Sequence, residues 1–249
     1  DNGVTPGGGG AALPSEAEVA SGRHSEAGQA KGWLFSPHDQ PSGALTAHGS
    51  ETVHGAYARV TDALYSSDPM WSDQRPGRLH RVRLDGPARI VPGLSALFHP
   101  PIMAVDGDVD SLRSVDARAA VLRFAIECAE RDIHAAEMEN VPVDERSRQA
   151  VSAAREHGRP DWAFPDVREA SALDRASAVM LLDVDCASHP LARCAAASAY
   201  AACACAMGKL RHVYAYCVRG HNLEPRDIAE QERMEARLIE LISEAPPWA

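Results

Sequence analysis

A chain of 249 residues, 45% apolar and 24% charged, exceeds one average domain and carries enough apolar content for a buried core. Its net charge of −10 divides as about −2 over residues 1–31, −1 over 32–107 and −7 over 108–249, a field that disfavours nucleic-acid backbones and favours a basic partner. The longest uncharged apolar stretch, Cys194 to Met207, is about fourteen residues against the roughly 20 that span a bilayer, so no transmembrane segment is expected.

Residues 1–31 contain Gly7 to Gly10, Pro14 and scattered glutamates without an apolar period. Such a segment cannot offset its ordering entropy and is expected to be a disordered tail. It lacks a basic start followed by an apolar run, so no secretory leader is expected and the location is read as cytoplasmic. Residues 32–107 read as a small, loop-rich α+β module. Trp33-Leu34-Phe35, closed by Ser36-Pro37, predicts a strand or edge. From Ala56 to Leu64 the spacing of Tyr57, Val60 and Leu64 predicts a helix that stops before Ser66-Ser67-Asp68-Pro69. Arg78–Leu84 and Arg89–Val91 are β-compatible runs around an Asp85-Gly86-Pro87 turn signal, which predicts a strand pair.

Composition changes at Asp106-Gly107-Asp108, and residues 108–249 predict an all-α, Ala-rich bundle of about five helices. Val115, Ala119, Leu122, Ile126, Ala129, Ile133 and Ala136 make one helical stripe of six or seven turns. Asn140 to Asp144 connects to a second helix, with Asp144 as its cap and an end near His157-Gly158. A third is expected from near Asp166 through Met180. The fourth runs from Leu191 towards Arg219 with a bend at Gly208, and Gly220 is a candidate terminator. Pro225 suits the first turn of the fifth, lined by Ile228, Met234, Leu238, Leu241 and Ile242.

Several residue groups have the chemistry for a site. Cys194, Ser198, Ala201, Cys205, Gly208, His212 and Tyr216 share a face of the fourth helix, but Cys194 and Cys205 stand about 16 Å apart at 1.5 Å per residue and cannot hold one zinc together. A seam of small residues is preferred, and no metal or cofactor is expected. The six cysteines, all in the helical half, read as small buried thiols of a reduced protein. Asp183 and Asp185, with Cys186 and His189, form a polar cluster fit for a cation or a basic side chain. Glu127, Glu130, Glu137 and Glu139, interleaved with Arg123 and Arg131, suit a solvated face with helix-neighbour ion pairs. Arg78, His80, Arg81, Arg83 and Arg89 make a basic strand pair in a near-neutral module, which argues against nucleic acid. His48, His54 and His80 are the residues to converge if the module carries an enzyme pocket.

Arg123-Phe-Ala-Ile-Glu-Cys-Ala-Glu-Arg131, then Pro142-Val-Asp-Glu-Arg-Ser-Arg-Gln-Ala150, the alanine-rich run Ala195 to Tyr216 and the closing Arg237-Leu-Ile-Glu-Leu241 resemble a family of bacterial immunity proteins of polymorphic toxin systems over about 135 residues. Phe124 stands where that family has tryptophan, and Cys203 and Cys205 replace its histidines. More faintly, Val53-His54-Gly55-Ala56 and Leu79-His-Arg-Val-Arg-Leu-Asp-Gly86 resemble an uncharacterised small α+β domain. The resemblance implies stoichiometric neutralisation of a cognate, basic toxin by contact, with Glu127, Glu130, Asp183 and Asp185 as partner-binding residues and no catalytic group. Two alternatives are an enzyme or biosynthetic accessory protein with a pocket between the two modules, and a regulatory or scaffold ligand-binding protein.

Overall fold

The computed structural model describes residues 30–36, 44–46, 52–65, 78–91, 101–157, 172–173, 175–176, 189–210, 212–218, 220–221 and 224–245. The expected tail, save Ala30 and Lys31, lies outside them, as do His48, Asp183, Asp185, Cys186 and most of the helix expected from Asp166; its parts 172–173 and 175–176 are helical. The architecture is mixed α+β.

Strands β1 (Lys31–Ser36), β2 (Ala44–Thr46), β3 (Thr52–Tyr57), β4 (Arg78–Leu84), β5 (Arg89–Val91), β6 (Ile102–Ala104) and β7 (Val109–Val115) form an antiparallel sheet of order β5-β6-β3-β1-β4-β7, with β2 beside β3. Two expectations change here. The helix expected from Ala56 is strand as far as Tyr57 and helix, α1, only over Val60–Tyr65. Residues 78–84 and 89–91 are both strands but do not pair with each other: β5 pairs β6, at the opposite edge from β4's neighbour β7.

That topology forces the sheet to curl. Four strand steps separate β4 from β5, and four separate β6 from β7, about 19 Å across a flat sheet at roughly 4.8 Å per step. Each connection has only the residues 85–88 or 105–108, about 18 Å at full extension. The two connections also touch, the Asp85 N–H donating to the Asp108 carbonyl at 2.9 Å. Ala88 and Val105, one from each, are buried with Leu34, Ala56, Val82, Leu84 and Met103 inside the curl. There is no spare room: a Cβ on Gly32 would sit 2.6 Å from the Ala56 Cβ, and one on Gly55 2.1 Å from the Met103 carbonyl oxygen.

The convex face carries Trp33, Val53, Tyr57, Leu79, Ile102 and Val115, and these merge with the helical residues into one core. The sheet therefore runs past the boundary expected at residue 107, because β7 pairs with β4. Behind it stand α2 (Arg118–Met138), α3 (Glu145–His157), α4 (Pro190–Ala206), a π-helical segment Val213–Val218, a short β8–β9 pairing (Gly220–His221 with Glu224–Pro225) and α5 (Ile228–Glu244).

The buried stripe of α2 keeps Ala129, Ile133 and Ala136 of the expected one but widens and turns in its first half: Val115 ends β7, Ala119 is exposed, Leu122 and Ile126 are half-buried, and Val121, Phe124, Ala125 and Cys128 are buried, with Asp132 further along. Both α4 and α5 pack on α2, which a single stripe of one period does not anticipate. Its end is a Schellman turn: Asn140 takes φ 55°, and the Val141 N–H reaches back to the Ala136 carbonyl at 2.8 Å. Asp144 caps α3 as expected, accepting from the Arg146 N–H at 2.9 Å. In α4 every side chain from Ala195 to Cys205 is buried, as befits an apolar-all-round helix enclosed by neighbours. Gly208 does not bend this helix but ends it, with φ 82° and the Lys209 N–H bonded to the Ala204 carbonyl at 2.8 Å. Gly220 stands where the helical segment Val213–Val218 has ended and β8 begins, and Pro225 lies in β9, so α5 starts later, capped by Asp227, whose carboxylate accepts from the Glu230 N–H at 2.7 Å.

Candidate ligand-binding cleft

One row of side chains crosses the convex face. Pairing sets Ile102 beside Tyr57, Tyr57 beside Trp33, Trp33 beside Arg81 and Arg81 beside Arg113. Beyond Arg113 the register shifts: Val82 faces Ser111, so Leu112 is an extra residue in β7. That bulge reverses the parity of the strand. It lets Arg113 share the convex face with Val115 while Ser111 and Ser114 both reach His80 on the other side, at 3.3 and 2.6 Å from its Nδ1.

Where this row meets the end of α5, a cleft of about 300 Å³ opens, walled by Trp33, Leu79, Arg81, Arg113 and Val115 from the sheet and by Ile239, Ile242 and Ser243 from the helix. The Arg81 guanidinium lies over the Trp33 ring, 4.6 Å from its centroid. Arg113 donates to the carbonyls of Ser243 at 3.2 Å and Ala245 at 2.7 Å, satisfying the last turn of α5. Arg81 has no carboxylate partner among the described residues. Burial accordingly lowers its pKa from the ordinary arginine value. Two arginines directly opposed across strands repel, so this row carries a like-charge cost that folding alone does not require.

Three of the acids singled out by sequence, Glu127, Glu130 and Glu137, have arginine partners. Glu127 is gripped by Arg237 of α5 at 3.0 and 3.1 Å and by Arg123 at 3.0 Å. The hydrogen bond from Arg237, with smaller help from Arg123, outweighs desolvation and holds this carboxyl below the usual range. Glu130 pairs with Arg155, and Glu137 with Arg148 at 2.6 Å, so the two join α2 to α3. His54 is exposed on β3, and His80 is fully buried on β4 with β1 between them, so neither lies in the cleft. Among the described residues no cluster of histidine, cysteine and acidic groups fits a metal ion, and no helix is long and apolar enough to cross a membrane.

A second polar centre, unread in the sequence, lies in the helical half. Asp132 of α2 is buried and accepts from Ser198 at 2.5 Å, from Arg226 and from Arg131 at 2.9 Å. Arg226 also donates to the Cys217 carbonyl at 2.7 Å and to Glu230 at 2.9 Å. Desolvation opposes its charge, but Asp132 and then Glu230 outweigh that and raise its pKa. Nearby, burial and a hydrogen bond to Cys217 push the Cys128 thiol well up, and burial alone pushes Cys203 up to about 12. These thiols stay protonated at neutral pH.

Comparison of the chain with the profiles of known families, with curated proteins and with solved structures finds no match.

Proposed function

We propose that this protein works by binding, and that its receptor site is the cleft between the sheet and the end of α5. The observation that carries the reading is the Trp33–Arg81–Arg113 row, where a half-buried cation without a carboxylate among the described residues faces a concave, largely apolar space. A charge so placed gives folding little net gain, its contact with Trp33 being offset by Arg113, and is suited to an incoming anionic group. This corresponds to a ligand-binding protein with its pocket between the sheet-bearing and helical parts. Methyl NMR of the full chain with mixtures of small organic anions tests it. Bound compounds should shift the Val115, Ile239 and Ile242 methyl signals, and mixtures that leave all of them unmoved would reject the reading.

A second reading, neutralisation of a basic bacterial toxin by stoichiometric contact, has its own observation. In it the helical half is a bundle of about five helices, and contact is electrostatic. Glu127 and Glu130 are engaged by arginines, whereas Asp85, Asp106 and Asp108 are exposed on two touching turns without an ion-pair partner among the described residues. Reversing those three aspartates to lysine should abolish co-purification with a toxin encoded beside the gene. Reversing Glu127 and Glu130 instead should mainly lower stability. Undiminished co-purification after the aspartate reversals would remove this reading.

A further inference from the structure

Resting on the cleft reading, we infer that the ligand is an amphiphilic monoanion: a carboxylate held by Arg81 and the free edge of Arg113, on an apolar body lying along α5. Three features select this class. First, Leu79, Val115, Ile239 and Ile242 line the space, so most of a ligand placed there meets hydrocarbon. Its volume of about 300 Å³ is at the small end of organic-ligand sites, which run roughly 300–1,000 Å³.

Second, the cationic equipment is planar and nearly single. A guanidinium fork matches the two oxygens of a carboxylate, and the Trp33 ring 4.6 Å below its carbon holds it at the cleft. Arg113 is already half committed, with Nη2 given to two carbonyls. One negative charge balances what remains. Third, those carbonyls of Ser243 and Ala245 are at the negative end of the α5 dipole, and Ser243 lines the same space. A phosphate dianion would carry its second charge towards them, whereas a carboxylate presents only one. The Leu112 bulge that turns Arg113 onto this face is what completes the pair.

Calorimetric titration of the full chain with octanoate, 1-octanol and octyl phosphate at neutral pH tests the class. Octanoate should bind at one site, at least tenfold more tightly than either comparator, and Arg81→Leu should lose at least tenfold of that affinity. The Arg81 Nε resonance of the unsubstituted protein, read by NMR, should shift on adding octanoate, which keeps the test independent of how the variant folds. If 1-octanol or octyl phosphate shifts the cleft methyls and binds as well as octanoate, the cleft is a receptor but the monoanion inference is wrong. If none of the three moves the Arg81 or Ile242 signals, the inference is wrong and the cleft reading falls with it.

Discussion

Two arginine-bearing centres of this molecule differ in one respect that separates architecture from recognition. Around Asp132, two guanidiniums, two carboxylates, a hydroxyl and a backbone carbonyl close on one another, and Ser198 and Asp132 are buried. Around Arg81 the described residues supply an indole, a second arginine and the apolar walls of a cleft, and no carboxylate. Buried charge is tolerated when each oxygen and proton has a partner, so the first centre is explained by folding. The second has no such closure among the described residues, and the proposed binding role rests on that contrast.

The comparison breaks most visibly at Asp132. Replacing it with alanine leaves Arg226 buried without its nearest carboxylate and should cost about 3–5 kcal/mol in denaturant unfolding. Removing both, with Asp132→Leu and Arg226→Met, should recover much of that loss, because an apolar pair needs no compensation. A double variant as unstable as the single one would show that the centre does more than balance charge. Next in size is Glu235, buried where α5 meets the sheet module and accepting from Arg59 at 2.5 Å and Thr61 at 3.3 Å. Arg59 can rehydrate because its side chain is 30% exposed, so Glu235→Ala should cost about 2 kcal/mol, less than Asp132→Ala.

These two centres were unequally legible in the sequence. Local signals carried the strands at Trp33 and at 78–84, the cap at Asp144 and the existence of α2, α3, α4 and α5, because turn chemistry and helical spacing act within a few residues. What depends on distant partners was hidden. Strands β6 and β7 have little alternation of their own, and Asp106-Gly107-Asp108 resembles a linker when it is a connection across a curled sheet. Arg81 and Arg113 are 32 positions apart, and the bulge at Leu112 changes which face residue 113 takes, so no periodicity links them to Trp33. The helix-neighbour ion pair expected for Glu127 is present with Arg123, but its second partner Arg237 and Glu130's partner Arg155 lie on other helices, which sequence spacing cannot display.

Smaller in effect is Asp144, a cap on the exposed side of the helical half. Arg146, through its side chain first and its N–H second, lowers the Asp144 pKa from 3.8 to about 2. A folded-state pKa below the unfolded one stabilises above the unfolded value and is lost as pH falls through the folded one. Asp144→Ala should therefore cost about 1 kcal/mol at neutral pH, with solvent screening limiting the ion-pair share. The difference between variant and parent should shrink between about pH 4 and pH 2. A gap that persists unchanged at pH 2 would assign the effect to helix propensity rather than to the carboxylate.

Arg81→Leu sharpens the comparison most, although its effect on stability is the smallest. The change removes a cation–π contact of about 0.5–1 kcal/mol but also a like-charge cross-strand pair of roughly 0.2–1 kcal/mol. Leucine adds apolar surface to a cleft already lined by it. These terms nearly cancel, and unfolding should shift by no more than about 0.5 kcal/mol, on the stabilising side. Salt separates the terms: screening weakens the Arg81–Arg113 repulsion, so raising ionic strength should stabilise the parent relative to the variant. A loss above about 1 kcal/mol, insensitive to salt, would make Arg81 a packing residue, and the contrast between a closed and an open charge centre would disappear.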